Sequence, residues 1–237
     1  MKSLRWLLGL GDDPYDPAVL DLMRREWNER AKDNARYHVA TLQENWTDDE
    51  FFESGSVWVR GHIENSLAEI CNGRSPDEMR VLEIGCGTGR MTVPLSKIFG
   101  RVDAVDISSE MIARAQKVVE GCGNVQLHVN NGVDLSMFAG EQFDFALSAI
   151  VFQHIPKRVV VENYIKETAR VLRGGCLFKF QVQGYPIPDE EANTWVGASF
   201  SEQQITELAA RYGFHIKESQ GARTQFFWLT FQKALRK

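Results

Sequence analysis

The chain has 237 residues, a formal net charge of −5 and a charged fraction of 25%. That length accommodates a single α/β domain with an extension, and the mildly acidic balance supplies no global field for holding nucleic acid, so a small or neutral partner is favoured. The four cysteines, Cys71, Cys86, Cys122 and Cys176, show no CxxC spacing, which argues against a disulfide framework or a zinc site and fits a reducing cytoplasm.

The opening "MKSLRWLLGLGDDPYDP" holds an apolar run too short for a signal segment or a membrane span. It reads as a frayed or docked turn of a soluble chain. From residue 17 to about residue 70, apolar residues recur at three and four, the helical period, and no strand pattern interrupts them. Residues 1–78 carry 16 acidic and 9 basic side chains, densest in "TDDEFFE". "CNGRSPDE" gathers turn formers and charge and marks a boundary near residues 72–79.

Beyond it the period shortens. Apolar runs of strand length fall at 79–85, 101–108, 125–130, 143–149 and 176–182, each separated by room for one helix. The helices are expected at about 90–99, 109–120 and 157–172, the last closed by Gly174 or Gly175 as a left-handed cap. A further helix opens at Ser201 and closes at Gly213. Two final strands, "FHIKES" and "FFWLTFQK", are joined by a link short enough only for a hairpin. The alternation predicts a mostly parallel sheet covered on both faces, with an antiparallel C-terminal end.

The first strand runs into "EIGCGTG", with glycines at 85, 87 and 89. Such a turn lets a ligand lie on bare main-chain N–H groups at the carboxyl end of a strand. The spacing departs from the dinucleotide pattern G-x-G-x-x-G, because Arg90 stands where the third glycine belongs. Glu83, two residues before the loop, would repel a pyrophosphate and suit an ammonium or sulfonium group. Asp106 ends the second strand, where a carboxylate can accept both hydroxyls of a ribose, although "DISSEM" also permits a helix cap.

"VLEIGCGTGR", "VDAVDIS", "FDFALSAIVFQHI" and "RVLRGGCLFKFQV" resemble, in order and spacing, the signature segments of class I S-adenosylmethionine-dependent methyltransferases over residues 79–237. The resemblance implies a Rossmann-like α/β fold with a seven-stranded sheet whose last strand is reversed, and S-adenosylmethionine as cofactor. It also implies that Glu83, Gly85, Cys86 and Gly87 hold the methionine moiety, that Asp106 binds the ribose, and that Ile107 and Met111 line the adenine face. Many relatives carry Gly-Asp after the third strand; here Asn131 falls at that position, its amide able to accept from the adenine amino group, with Gly132 offering a backbone N–H. Asp134 lies outside that position and reads as a helix cap. Cys86 reads as a small residue that fits the loop.

The acceptor side is expected after the fourth strand, in "SAIVFQHIP". His154 is the candidate general base there; the competing reading is that it caps or orients the next helix. Gln153 could orient an acceptor. His38, His62, His128 and His215 read as surface or packing residues. Class I relatives often use helices before the first strand as a lid, so residues 1–78 are expected to act as one, with Tyr37 and Arg60 as contacts to acceptor or cofactor. Trp195, in the turn-rich stretch after the fifth strand, is expected in a second wall.

The sequence therefore predicts a cytoplasmic methyltransferase, monomeric or homodimeric, acting on a small-molecule oxygen, sulfur or nitrogen. No metal, nucleic-acid or membrane partner is expected. RNA or protein methylation, a non-catalytic S-adenosylmethionine-binding protein and a nicotinamide dehydrogenase stand as rival readings.

Overall fold

The computed structural model describes residues 15–235. The N-terminal turn expected within the opening segment falls mostly outside that range. Among the described residues, seven strands form one sheet: β1 (Arg80–Ile84), β2 (Arg101–Asp106), β3 (Val125–Val129), β4 (Phe143–Ser148), β5 (Leu172–Val182), β6 (Phe214–Gln220) and β7 (Phe227–Lys233). Their order is β3-β2-β1-β4-β5-β7-β6. β1 to β5 run parallel, and β7 is antiparallel to both β5 and β6. The C-terminal hairpin folds back so that its second strand, the more apolar, takes the inner place. The strand order turns at β1 and β4, where a crevice opens beyond the carboxyl ends.

Successive side chains of a strand point to opposite faces, and the sheet accordingly has two cores. Leu82, Ile84, Val105, Ala146, Phe178 and Phe180 pack on one side. Val81, Val102, Ala104, Phe145, Leu147 and Leu177 pack on the other. The helices are α1 (Pro17–Val39), α2 (Asp48–His62), α3 (Leu67–Cys71), α4 (Thr92–Ser96), α5 (Ser109–Val118), α6 (Arg158–Val171) and α7 (Glu202–Arg211). α1 sends Met23 into the first core. α2 and α3 send Val59, Ile63, Ile70 and Cys71 into the second.

Local chemistry explains the helix starts. Thr47 and Glu50 form a reciprocal capping box for α2, and the acidic run becomes that helix's first turn, where negative charge meets the positive end of the dipole. Ser201 and Gln204 do the same for α7, while Ser108, rather than Asp106, caps α5.

Three expectations are corrected. The segment 90–99 forms only the five-residue α4, flanked by turns. No helix separates β3 from β4; Asp134 instead accepts from the Ser136 N–H in a loop. α6 passes directly into β5 at Leu172. Gly175, with φ 80°, lies within that strand, where the pairing with β4 slips between Phe143 and Phe145, so the bulge rather than a helix cap uses its left-handed backbone.

Candidate active site

The carboxyl ends of β1, β2, β3 and β4 surround a cleft of about 840 Å³, counting its open mouth. Residues 84–87 after β1, Asp106 and Ile107 after β2, Asn130 and Gly132 after β3, and residues 149–151 after β4 all face it. α1 closes one side with Met23, Trp27, His38 and Val39.

The glycine loop is held open by sterics. Gly85 and Gly87 have φ of 79° and 55°, and a Cβ on Gly85 would come within 2.3 Å of the Val151 side chain. Asp106 braces this loop: one oxygen accepts the Gly87 N–H at 2.8 Å and the other accepts the Ser108 N–H at 2.8 Å. A carboxylate has about four acceptor sites, so each oxygen retains capacity for a ligand hydroxyl. Burial pushes the Asp106 carboxyl up to about 6. Glu83 is buried beneath the loop and does not line the cleft. Its Oε2 accepts from the Thr92 hydroxyl at 2.6 Å, while its Oε1 is buried without a hydrogen-bond partner. Burial raises this carboxyl to about 7, opposed by the Thr92 bond and by Arg90. Cys86 lines the cleft, but burial and the carboxylates of Asp106 and Glu83 raise its thiol well above the ordinary range, so it is not a thiolate.

Ile107 and Met111 line the next part of the cleft. A Cβ on Gly132 would meet Ile107 Cδ1 at 2.5 Å, so that glycine keeps a flat slot open. Asn131, expected at the adenine edge, does not line the cleft. Its Oδ1 accepts the N–H groups of Val133 and Asp134, and its Nδ2 donates to Asp134. The preceding Asn130 lines the cleft instead, donating to the Tyr164 hydroxyl at 2.7 Å and accepting the Gly132 N–H at 3.2 Å. β3 ends one residue earlier than the sequence suggests, which changes the asparagine on the inner side.

The opposite wall is aromatic. His154 lies in the wall, buried, with its Nδ1 2.8 Å from the Trp195 carbonyl and its Nε2 3.2 Å from the Gln153 amide nitrogen. The Nδ1–H donates to the carbonyl and Nε2 accepts from the amide, so both ring nitrogens are engaged. Burial lowers its imidazole to about 4, and Arg30 adds to the effect. The Trp195 ring is 5.5 Å from that of His154, but Trp195 itself is not a lining residue. Gln153 is buried behind the wall and accepts from Gln181 at 3.0 Å. Arg60 points into solvent on α2, 3.8 Å from Glu53, and Tyr37 also lies outside the lining. The arginine that does reach the cleft is Arg90, from the glycine loop. Ile150, also lining it, has φ 59°, a strained backbone for a β-branched residue at the end of β4.

Residues 81–175 match the family model described as a methyltransferase domain. The matched stretch runs from β1 into β5 and includes the strand ends that border the cleft. The chain is 35% identical over 99 residues to a malonyl-[acyl-carrier protein] O-methyltransferase of Bacillus cereus, covering 40% of this chain and 36% of that protein. It is 33% identical over 107 residues to a magnesium-protoporphyrin O-methyltransferase of Rhodobacter capsulatus, covering 41% and 46%. The chain thus aligns with less than half the length of either relative. The fold is similar to that of N-methyltransferase NodS from Bradyrhizobium japonicum, solved with S-adenosyl-L-homocysteine, at a TM-score of 0.64, 18% identity, and coverage of 90% and 99%.

Several lining residues escape a sequence reading. Trp27, His38 and Val39 sit on an ordinary amphipathic helix, and only the packing of α1 across the strand ends brings them to the cleft. Tyr164 lies on α6 and reaches in from beneath. Among the described residues, no group of three potential metal ligands occurs, and no helix is long and apolar enough to cross a membrane.

Proposed function

We propose that this chain transfers a methyl group from S-adenosylmethionine to an oxygen, sulfur or nitrogen of a small molecule, releasing S-adenosylhomocysteine. The observation that carries this reading is the pairing of Asp106 with the Gly87 N–H at the mouth of one cleft. It sets a diol-accepting carboxylate beside bare main chain, and a nucleoside carrying an amino-acid arm needs both. The residues suit such a donor: the backbone of 85–87 would carry the methionine end, and the unpartnered Glu83 Oε1 beneath it favours a cationic ligand. Asp106 has acceptor capacity left for two ribose hydroxyls. Ile107, Met111 and Gly132 offer an apolar slot for a purine, with Asn130 at its edge.

When bound, the donor supplies a methyl carbon already activated by a sulfonium, so the protein's main task is alignment. α1 and the 149–155 segment exclude water from the acceptor side, and the strained Ile150 backbone fixes that wall. Relatives named as O-methyltransferases of small or carrier-bound molecules support a small acceptor. The net charge of −5 gives no attraction for nucleic acid. Free cysteines throughout the described residues support a cytoplasmic setting. The test is incubation of the purified chain with methyl-labelled S-adenosylmethionine and a mixed acceptor library, beside calorimetry of the donor. Heat and labelled product are expected; donor binding with no transfer to any acceptor would leave a sensor, and no donor binding would remove the reading altogether.

A further inference from the structure

His154 faces the cleft, yet its two nitrogens are already bonded to Trp195 and Gln153. A second histidine lines the same cleft. His38, near the end of α1, holds its Nε2 3.2 Å from Asp33 Oδ2, while its Nδ1 is buried without a hydrogen-bond partner among the described residues. With Nε2–H donating to the carboxylate, the lone pair is on Nδ1. An unpaired buried nitrogen is unfavourable unless a ligand donates to it. The next residue, Val39, lies over the glycine loop: a Cβ on Gly87 would approach its Cγ2 to 2.9 Å. His38 therefore lines the cleft beside the glycine loop, on the side that α1 closes.

The surroundings define an occupant. Trp195 meets His38 edge to face at 5.8 Å and His154 at 5.5 Å, and Trp27 meets His154 at 5.3 Å. Trp27 and His154 thus form an aromatic wall of the cleft, packed from behind by Trp195 and by Arg30, whose guanidinium lies 4.8 Å from the Trp27 ring and 5.4 Å from the Trp195 ring. The charged and titratable groups around His38 are Asp33 and Tyr37 on its own helix, and Arg30, Arg90, Asp106 and His154 around the cleft. The ring faces and edges of this wall give a planar ring surface to pack on.

Resting on the methyl-transfer reading, we propose that His38, oriented by Asp33, takes the proton of the acceptor, and that the acceptor is a hydroxyl-bearing planar ring seated against Trp27 and His154. The hydroxyl oxygen forms the new bond to the methyl carbon with a lone pair. The carbon–sulfur pair leaves with sulfur, which becomes a neutral thioether. The O–H pair stays on oxygen while the proton passes to His38 Nδ1 and then to solvent.

The full chain is tested with S-adenosylmethionine and the phenolic probes catechol and 2-naphthol, in wild type, His38→Gln, His38→Ala and Asp33→Asn. Calorimetry with S-adenosylhomocysteine comes first; absence of binding in wild type defeats the parent reading and not the assignment of His38. With product binding intact in the variants, kcat is expected to fall about a hundredfold in His38→Gln with KM little changed, and added imidazole should restore part of the rate in His38→Ala. Asp33→Asn should lower kcat about tenfold with KM little changed, because the ring is no longer held with its lone pair on Nδ1. The proposal is overturned if the protein binds S-adenosylhomocysteine but neither binds nor methylates the phenols, or if His38→Gln and Asp33→Asn match wild type in kcat.

Discussion

Glu83 meets two opposed demands: burial favours its neutral form, and a cationic donor favours its anion. With its carboxyl raised to about 7, it is largely protonated below neutrality in the free protein, so binding a cation there must release a proton. Donor affinity is expected to rise with pH by up to tenfold per unit below about 7 and to level off above about 8. Calorimetry in buffers of different ionisation enthalpy would read the released proton, and a pH-independent affinity would refute the linkage. Glu83→Gln should remove the pH dependence above about 6, leaving only that of Asp106 below it, and weaken binding at pH 8.

His154 makes the opposite contribution to stability. Its folded imidazole is lowered to about 4, below the ordinary 6.5, so the unfolded chain binds the extra proton between those values. The stability associated with its neutral form is present above about 6.5 and lost as pH falls toward 4, by roughly 3 kcal/mol at most. Asp106 and Glu83 have raised carboxyls and act in the reverse sense over pH 4 to 7. The difference in urea midpoints between wild type and His154→Gln isolates the histidine: the gap should narrow on acidification from pH 7 to 4.5, and a constant gap would contradict the buried neutral imidazole.

At the scale of elements, the site depends on helices arriving from far along the chain. α2 crosses the glycine loop so closely that a Cβ on Gly55 would come within 2.2 Å of the Arg90 carbonyl oxygen. Backbone cannot yield as a flexible side-chain tip can. Gly55→Ala is expected to destabilise the fold by about 1–3 kcal/mol, as over-packing does, despite the higher helix propensity of alanine; a raised melting temperature would show that α2 is not seated there. α1 is fastened to the loop after β5 by Arg30, which donates to the Thr194 hydroxyl at 2.8 Å and its carbonyl at 3.2 Å. Since this bond holds α1 and the Trp195 loop together behind the aromatic wall, Arg30→Ala should raise KM for the acceptor more than it changes donor affinity, measured by steady-state kinetics beside donor calorimetry.

For the whole molecule, the cleft is formed by four strand ends and capped by an N-terminal helix whose own residues belong to the sheet's core. A donor binding there engages the native state and not the unfolded chain. At a free donor concentration a hundredfold above Kd, stability should rise by about 2.7 kcal/mol. The shift would appear as a higher urea midpoint with unchanged slope, and its absence in Asp106→Ala would locate the effect.

The local sequence was sufficient for features set by short-range rules. Alternating apolar runs placed the strands, the glycines at 85 and 87 marked a ligand turn because only they tolerate its φ, and Ser201 marked the start of a helix. The short link between the last two apolar runs implied an antiparallel end, the strand-end position of Asp106 implied a contact to ribose hydroxyls, and the family resemblance implied both as well. Folding in three dimensions decided what spacing cannot encode. A one-residue difference in where β3 stops put Asn130 rather than Asn131 on the cleft. The exit of α6 straight into β5 moved Gly175 from a cap to a bulge. His38 and Trp27 looked like ordinary helix residues, and became walls of the site only when α1 packed across the strand ends. The physical reason is range: backbone conformation answers to near neighbours along the chain, whereas the contents of a cleft are fixed by side chains that meet across more than a hundred residues, as His38 and His154 do around Trp195.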